Sequence, residues 1–298
     1  MVNCKINNTS FAIPSNWDEL SNEQLKSIVS QFYSGANEAQ LKLKALLTIL
    51  KARVLIKNPV LHEQQILHKI KLGRQKAWLS DVQLKAMTDK LSFLTAKYET
   101  ETGAPAYTLD SSLTVNLFDQ FRHKRNMYYG PEEKLFNITF GEYITAETNY
   151  LRYIKTKNNQ DLDKLVATLY RRQLKSYKPN ALTNTGDRRE PFNDHLVNGR
   201  AAKLKKLDNI IKIGILLYYQ GCRKFISNQF PDVFKKSTSG FTSTVPGMLG
   251  LVDALTGEDV TKTEEVRSSM LYDVLIRLQK AAERHEQTKQ EIAKQKQK

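Results

Sequence analysis

The sequence feature that most constrains the fold is a helix-start signal that recurs four times. A Ser or Thr is followed three positions later by Glu or Gln, a pair whose side chains cap the backbone N–H groups at the beginning of a helix. The four pairs are Ser21 with Gln24, Ser80 with Gln83, Thr139 with Glu142, and Thr261 with Glu264. Apolar residues at helical spacing follow each pair. The sequence therefore predicts a mainly α-helical protein, arranged as a multi-helix bundle.

The apolar pattern places the helices and a few non-helical segments. The helices are predicted over 22–33, 38–57, 82–98, 138–155, 160–172, 196–230 and 263–282. The helix over 38–57 should end at Asn58-Pro59, and 196–230 should be the long central helix of the bundle. Residues 283–298 should extend the last helix as a solvated tail. A small hairpin is predicted within the first 13 residues, and a short strand over 106–109.

Breaks in the helical pattern indicate the domain organisation. Gly103 and Pro105 interrupt it over 100–110, which we interpret as a linker or loop. The prediction is an N-terminal helical subdomain over 1–99 and a main helical domain over 111–298, with a single domain as the alternative. Residues 235–246, rich in Lys, Ser, Thr and Gly, are predicted to be a mobile connection.

Basic charge points to the class of partner. The chain has 46 Lys and Arg against 31 Asp and Glu, a net charge of +15. Two blocks carry most of this excess: residues 41–76 hold nine basic residues and one acid, and residues 201–236 hold eight and two. Such blocks are typical of proteins that bind a polyanion or an acidic protein surface. The alternative is a solvated surface without a partner.

Cysteine usage and apolar runs suggest the compartment. Cys4 and Cys222 are far apart and match no redox or metal motif, as in proteins of a reducing compartment. The first 14 residues lack the pattern of a secretory signal. The longest apolar stretch, 210–222, is shorter than the roughly 20 residues that span a bilayer. We therefore expect a cytoplasmic protein without membrane contact.

Motif searches predict no catalytic residue, metal ligand or cofactor. No two histidines have the spacing that places both on one helical face for a metal. Gly247 and Gly250 lack the Lys-Ser/Thr ending of a phosphate-binding loop. Paired acids such as Glu132-Glu133 lie near predicted helix starts, where they favour the helix dipole. An enzyme remains the alternative if the fold brings ionisable residues from distant segments together into one active site.

Aromatic residues next to basic ones leave nucleic-acid binding open. Residues 121–129 and 170–177 combine Tyr and Phe with Arg and Lys, which can stack on bases and neutralise phosphates. The alternative is that the aromatic residues pack in the core and the basic residues form the solvent-exposed face of the same helices. Candidate polyanion-binding residues are Lys42, Lys44, Lys51, Arg53, Lys57, Arg122, Lys124, Arg125, Lys203, Lys205 and Lys206.

Three segments together resemble a known group of proteins. They are the opening stretch 13–24 (IPSNWDELSNEQ), a middle pair formed by ITFGEYI at 138–144 and LYRR at 169–172, and a closing stretch from Gly247 to Leu278. The arrangement is similar to poorly characterised proteins encoded among the structural genes of phages and prophages, often described as tail-assembly or virion-morphogenesis components.

This resemblance implies a non-enzymatic protein that acts in the bacterial cytoplasm during particle assembly, with other virion proteins as its partners. It suggests partner-binding residues at Trp17, Phe140, Tyr143, Arg171 and Arg172. Each of them also has a structural explanation: Trp17 can pack the chain onto the first helix, Phe140 and Tyr143 can form a helix face, and the arginines can complement a helix end. The leading prediction is an assembly or scaffolding protein, with a nucleic-acid-binding protein as the alternative.

Overall fold

The computed structural model describes residues 1–6, 9–55, 60–62, 65–73, 75–178, 187–234 and 262–296. The chain forms two compact units, Met1–Leu117 and Phe118–Lys298. Helices make up the larger part of the described chain, small antiparallel sheets contribute a smaller part, and turns and irregular segments connect them. The fold is therefore mixed: mainly helical in content, but not a pure helical bundle.

The first unit opens with the predicted hairpin, in which β1 (Val2–Ile6) pairs antiparallel with β2 (Thr9–Ile13). A short 3₁₀ turn, Trp17–Glu19, then leads to α1 (Asn22–Tyr33), where Ser21 and Gln24 form the predicted capping box. A second box that the sequence analysis did not identify, Asn37 with Gln40, opens α2 (Glu38–Ile49). These local caps determine where both helices begin.

The prediction that this second helix continues to residue 57 is wrong. α2 ends at Ile49, and Lys51 has a positive φ of 49° that turns the chain away from the helix. The chain continues as β3 (Ala52–Val54), because this strand pairs with a later one, β5 (Gln65–Leu72). The predicted stop at Asn58-Pro59 lies outside the described residues.

A four-stranded sheet occupies the region between α2 and the next helix. Its central strand, β5, pairs with β3 and β4 (Val60–His62) along one edge and with β6 (Gln75–Ser80) along the other. Alternate residues of the sheet are buried: Ile70, Leu72, Ala77 and Leu79. The residues that alternate with them along the strands therefore face away from this core, since successive side chains of a strand point to opposite faces.

The remainder of the first unit also differs from the predicted helix over 82–98. α3 (Asp81–Asp89) has the predicted Ser80–Gln83 capping box, but it ends early and is followed by a 3₁₀ turn, Ser92–Leu94. β7 (Thr95–Glu99) then pairs with β8 (Pro105–Leu109), the predicted short strand. Residues 100–104 are thus a hairpin turn inside this unit, with Gly103 at φ 76°, and not a linker.

The second unit begins with a hairpin and continues mainly as helices. Tyr129 of the hairpin bridges to Arg171, and Gln173 bridges in turn to Arg189, so two further segments extend the hairpin. The elements of this unit are β9 (Gln120–His123), β10 (Asn126–Tyr129), α4 (Phe140–Thr156), α5 (Asn159–Leu169), α6 (Val197–Leu204), α7 (Asn209–Gln229), α8 (Pro231–Phe234), α9 (Thr263–Ser268) and α10 (Leu271–Lys296).

Two predicted helices have different ends in this unit. The predicted helix over 160–172 stops at Leu169, because Tyr170 is extended and Arg171 pairs with Tyr129. The predicted central helix over 196–230 is two helices, with α7 restarting at its cap, Asp208, whose carboxylate accepts the N–H of Ile210 at 2.9 Å. α7 is still the apolar core helix of this unit, with most side chains over 212–222 buried.

The C-terminal helix is also interrupted. α9 and α10 are separated at Ser269 and Met270, where the chain forms backbone hydrogen bonds with Ile138 and Phe140. One face of the first turns of α10, with Leu271, Val274, Leu275 and Leu278, is buried. The described side chains beyond residue 280 are exposed or partly exposed, as the solvated extension predicts. The predicted helix start at Thr261, the Gly247–Gly250 segment and the predicted connection over 235–246 lie outside the described residues.

Candidate functional site

The outward face of the sheet in the first unit carries a group of cations. Arg53, Lys71 and Lys76 lie side by side on β3, β5 and β6, because Lys71 is the register partner of both others. In the next row Lys69 lies opposite Trp78. We call Arg53, Lys69, Lys71, Lys76 and Trp78 the basic sheet face.

Nothing acidic balances this face within the sheet. None of the described positions in its four strands is Asp or Glu. Among the residues that the structure describes, the four cations form no ion pair. Like charges directly opposite each other on neighbouring strands destabilise a sheet. The row Arg53–Lys71–Lys76 contains two such pairs, so the unbound protein bears a cost that an anionic partner would relieve.

Trp78 gives the face an apolar and aromatic component. Its side chain is 44% exposed, so part of the aromatic ring is open to solvent. The Lys69 ammonium lies 5.2 Å from the ring centroid, within the range of a cation–π contact. The contact holds Lys69 over one part of the ring and leaves indole surface accessible. A cationic sheet face with an open aromatic ring can bind an acidic protein segment or stack on a nucleic-acid base.

The structure distributes the predicted polyanion-binding residues over several surfaces. Lys42 is paired with Glu38, Nζ to Oε1 2.8 Å, which neutralises it. Arg53 is on the basic sheet face, and Lys57 lies outside the described residues. The remaining predicted cations are all exposed. Lys44 is on α2, Lys51 precedes β3, Arg122, Lys124 and Arg125 lie around the β9–β10 turn, and Lys203, Lys205 and Lys206 lie around the end of α6.

Four of the five predicted partner-binding residues are in the protein interior, which corrects their assignment to a surface. Trp17 is fully buried, and its Nε1 donates to the carbonyl of Phe93 at 3.0 Å. Phe140 and Tyr143 are buried on α4. Arg171, two residues after the end of α5, is also buried. These positions fit the structural explanation given above. Arg172 alone is partly exposed.

Arg171 belongs to a buried ion cluster that the sequence analysis did not identify. Both Arg171 and Arg189 contact Glu142 Oε1, at 2.8 and 3.1 Å. Arg189 also contacts Asp187 at 2.8 Å and donates to the carbonyl of Leu169 at 2.9 Å. Burial lowers the pKa of Arg171; for Arg189, Glu142 and Asp187 outweigh the effect of burial, and its pKa is raised.

Two other buried charged groups lie around α7. Arg223 Nε contacts Glu147 Oε1 at 2.7 Å, and Tyr219 donates to the same carboxylate at 3.0 Å. Burial raises the pKa of Glu147, and the pKa of Tyr219 is raised well above its usual value by burial and by that carboxylate. Lys212 Nζ contacts Asp163 at 2.6 Å. Each of these groups has a partner of opposite charge or a hydrogen bond, so their arrangement is that of structural ion pairs.

The structure describes separate carboxylate contacts for two of the histidines. His68 contacts Asp81 in the first unit and His195 lies near Asp194 in the second. Within the described parts of the chain no group of three or more His, Cys, Asp and Glu residues is placed to hold a metal ion. No described helix is both long and apolar enough to cross a membrane.

Lys69, Lys71, Lys76 and Trp78 were not among the predicted site residues, although a signal for them exists. The segment 68–72 reads His-Lys-Ile-Lys-Leu, and 76–79 reads Lys-Ala-Trp-Leu, with Gly73 between them. This alternation of polar and apolar residues around a glycine is typical of a β-hairpin with one wet face. Comparison with known proteins does not add to this assignment, since no family model, curated protein or solved structure matches the chain.

Proposed function

We propose that this protein is a non-enzymatic assembly protein that binds an acidic surface of a partner protein through the basic sheet face. The single observation that carries the proposal is the row Arg53–Lys71–Lys76, in which like charges oppose each other without an acid in the same strands. Electrostatic complementarity of this kind guides a partner to one face and fixes its orientation. Trp78 supplies the aromatic anchor that protein interfaces commonly contain.

A non-enzymatic role is supported by the buried charged groups. Glu142, Glu147 and Asp163 each contact an Arg or Lys within the second unit, and this pairing accounts for their burial without a substrate. The proposed setting, phage particle morphogenesis in the bacterial cytoplasm with a virion protein as partner, comes from the resemblance of three sequence segments.

The test compares two variants that remove equal charge. R53Q/K71Q/K76Q neutralises the row on the basic sheet face, and K203Q/K205Q/K206Q removes three exposed cations of the second unit. Binding of each to the purified products of neighbouring genes is measured by calorimetry at about 50 mM salt.

We expect the face variant to bind its partner at least about tenfold more weakly, and the control variant to stay within about twofold of wild type. Equal weakening by both variants would mean that net charge, not this face, carries the interaction. The proposal fails as well when no neighbouring gene product binds the wild-type protein under these conditions.

Nucleic-acid binding is a second candidate, favoured by one observation: Trp78 and Lys69 lie next to the cationic row on the same face. Base stacking on an aromatic ring contributes about 1–3 kcal/mol, and each phosphate neutralised steepens the salt dependence of binding. The test is the mobility of labelled single-stranded DNA and RNA with wild type and W78A. A loss of at least about fivefold in W78A supports this candidate. Unchanged mobility at micromolar concentrations and about 50 mM salt removes it.

A further inference from the structure

A small cavity of about 250 Å³ lies in the second unit, between the extended hairpin and α6. Tyr128, Arg172 and Glu190 line it from the hairpin and the segments that pair with it, and Arg200 and Lys203 line it from α6. Three cations therefore surround a space that contains one carboxylate. Pockets for drug-sized ligands measure about 300–1,000 Å³, so this cavity suits a small group.

Arg200 is the best evidence that the cavity takes an anion. Its side chain is 8% exposed, and its one hydrogen bond within the described structure runs from Nη1 to the carbonyl of Ala167 at 2.6 Å. No carboxylate of the described chain forms an ion pair with it. Burial, together with the positive charge of Arg171, lowers the pKa of Arg200. Glu190, on the cavity wall, and Glu142 partly offset this lowering from beyond ion-pair distance. A buried cation without a direct ion pair is costly, and the arginines of the ion cluster nearby have carboxylate partners in direct contact.

Arg172 and Lys203 are likewise unpaired within the part of the chain that the structure describes. Backbone pairing holds Arg172 in place, since the N–H of Glu190 donates to its carbonyl at 2.8 Å. Lys203 lies in the last turn of α6, three residues after Arg200, so the two side chains lie on the same side of the helix. The cavity thus gathers its cations from two elements far apart in sequence.

Gly199 leaves one wall of the cavity open. A Cβ added at this position would have nothing within 4 Å, so packing does not require glycine here. Glycine within a helix costs about 0.5–1 kcal/mol relative to alanine. Gly199 is exposed, so this position has room for a larger side chain beside the cavity.

We propose that this cavity binds the phosphate group of a small anion, either inorganic phosphate or a phosphate ester. The guanidinium groups of Arg172 and Arg200 donate in the planar geometry that suits phosphate oxygens, and Lys203 adds a point charge. Glu190 reduces the net positive charge of the lining, so the three cations must outweigh its repulsion of the phosphate.

The test is titration of the full-length protein with inorganic phosphate and, separately, glycerol phosphate, at ionic strength held constant with chloride. Wild type is compared with R172A/K203A, which removes two cations, and with G199L, which fills the space and leaves every charge in place. K205A/K206A is the control, because these exposed lysines follow α6 and do not line the cavity. Thermal unfolding checks that each variant is folded.

We expect wild type to bind one of the two ligands with a Kd of about 1 mM or below. Both R172A/K203A and G199L should weaken that binding at least about tenfold, and the control should leave it within about twofold. The ligand that binds more tightly identifies the source of the phosphate. Binding of neither ligand by wild type, equal weakening by the control, or no effect of either cavity variant would overturn the proposal.

Discussion

Replacing Lys71 by Gln should stabilise the first unit, which is unusual for a change in an ordered strand. Lys71 has a cation directly opposite it on each side, Arg53 and Lys76. With strands about 5 Å apart, we place the charges of each pair about 6 Å apart, where two unit charges in water repel by about 0.7 kcal/mol. Screening at 0.15 M salt roughly halves this value. Removing two repulsions should therefore stabilise by about 0.7 kcal/mol.

The effect should follow ionic strength. At about 0.01 M salt screening is weak and the gain should rise to about 1 kcal/mol; at about 1 M salt it should fall to about 0.2 kcal/mol. The assay is urea unfolding followed by tryptophan fluorescence. Both tryptophans of the chain, Trp17 and Trp78, lie in the first unit, so the signal reports the unfolding of that unit.

Lys5 provides a matched control for this experiment. It is an exposed lysine on a strand of the same unit, but its register partner, Ser10, is neutral. K5Q should change the unfolding free energy by less than about 0.3 kcal/mol at every salt concentration. Destabilisation by K71Q, or a stabilisation that persists unchanged at about 1 M salt, would refute the inference that the row is under electrostatic repulsion.

Three further substitutions test the second unit, each by circular dichroism during thermal or urea unfolding. R189M should cost about 3 kcal/mol, because it leaves the Glu142 carboxylate buried with one partner fewer; a loss below about 1 kcal/mol would contradict this. G214A should cost about 1–3 kcal/mol, since the new Cβ would lie 2.1 Å from Cε2 of Phe118, and a neutral effect would mean that the ring moves away freely. D208A should cost about 1 kcal/mol through loss of the α7 cap, and D208S should restore most of it.

The candidate site shows why sequence reasoning found the charge but not the surface. The block over 41–76 was identified by counting charges, and Arg53 was assigned to a helix. A helix that ends at residue 57 would not place Arg53 next to Lys71, which lies 18 positions further along the chain. Pairing of β3 with β5 brings Arg53 next to Lys71, and pairing of β5 with β6 adds Lys76. The alternating pattern around Gly73 is a sequence signal for the pairing of β5 with β6. The pairing of β3 with β5 depends on contacts between strands that are not neighbours in sequence.

Two buried residues show that residue type alone does not predict whether a side chain is exposed. The resemblance of three segments suggests Trp17 and Arg171 as partner-binding residues, yet both are in the interior. A carbonyl from Phe93 satisfies the Trp17 indole, and Glu142 compensates the Arg171 charge. Neither partner is near in sequence, so the residue type alone could not distinguish a surface anchor from a satisfied core group.

What the sequence by itself determined is local: helix beginnings at Ser21, Ser80 and Thr139, where the cap and the N–H that it accepts are three residues apart. Helix ends and strand register were decided by the tertiary structure. α2 stops at Ile49 and α5 at Leu169, because the following residues pair with strands formed elsewhere in the chain. The free energy of helix capping depends on residues within one turn of each other. The cationic row and the proposed anion cavity, by contrast, are formed by segments that are distant in sequence and come together only when the chain folds.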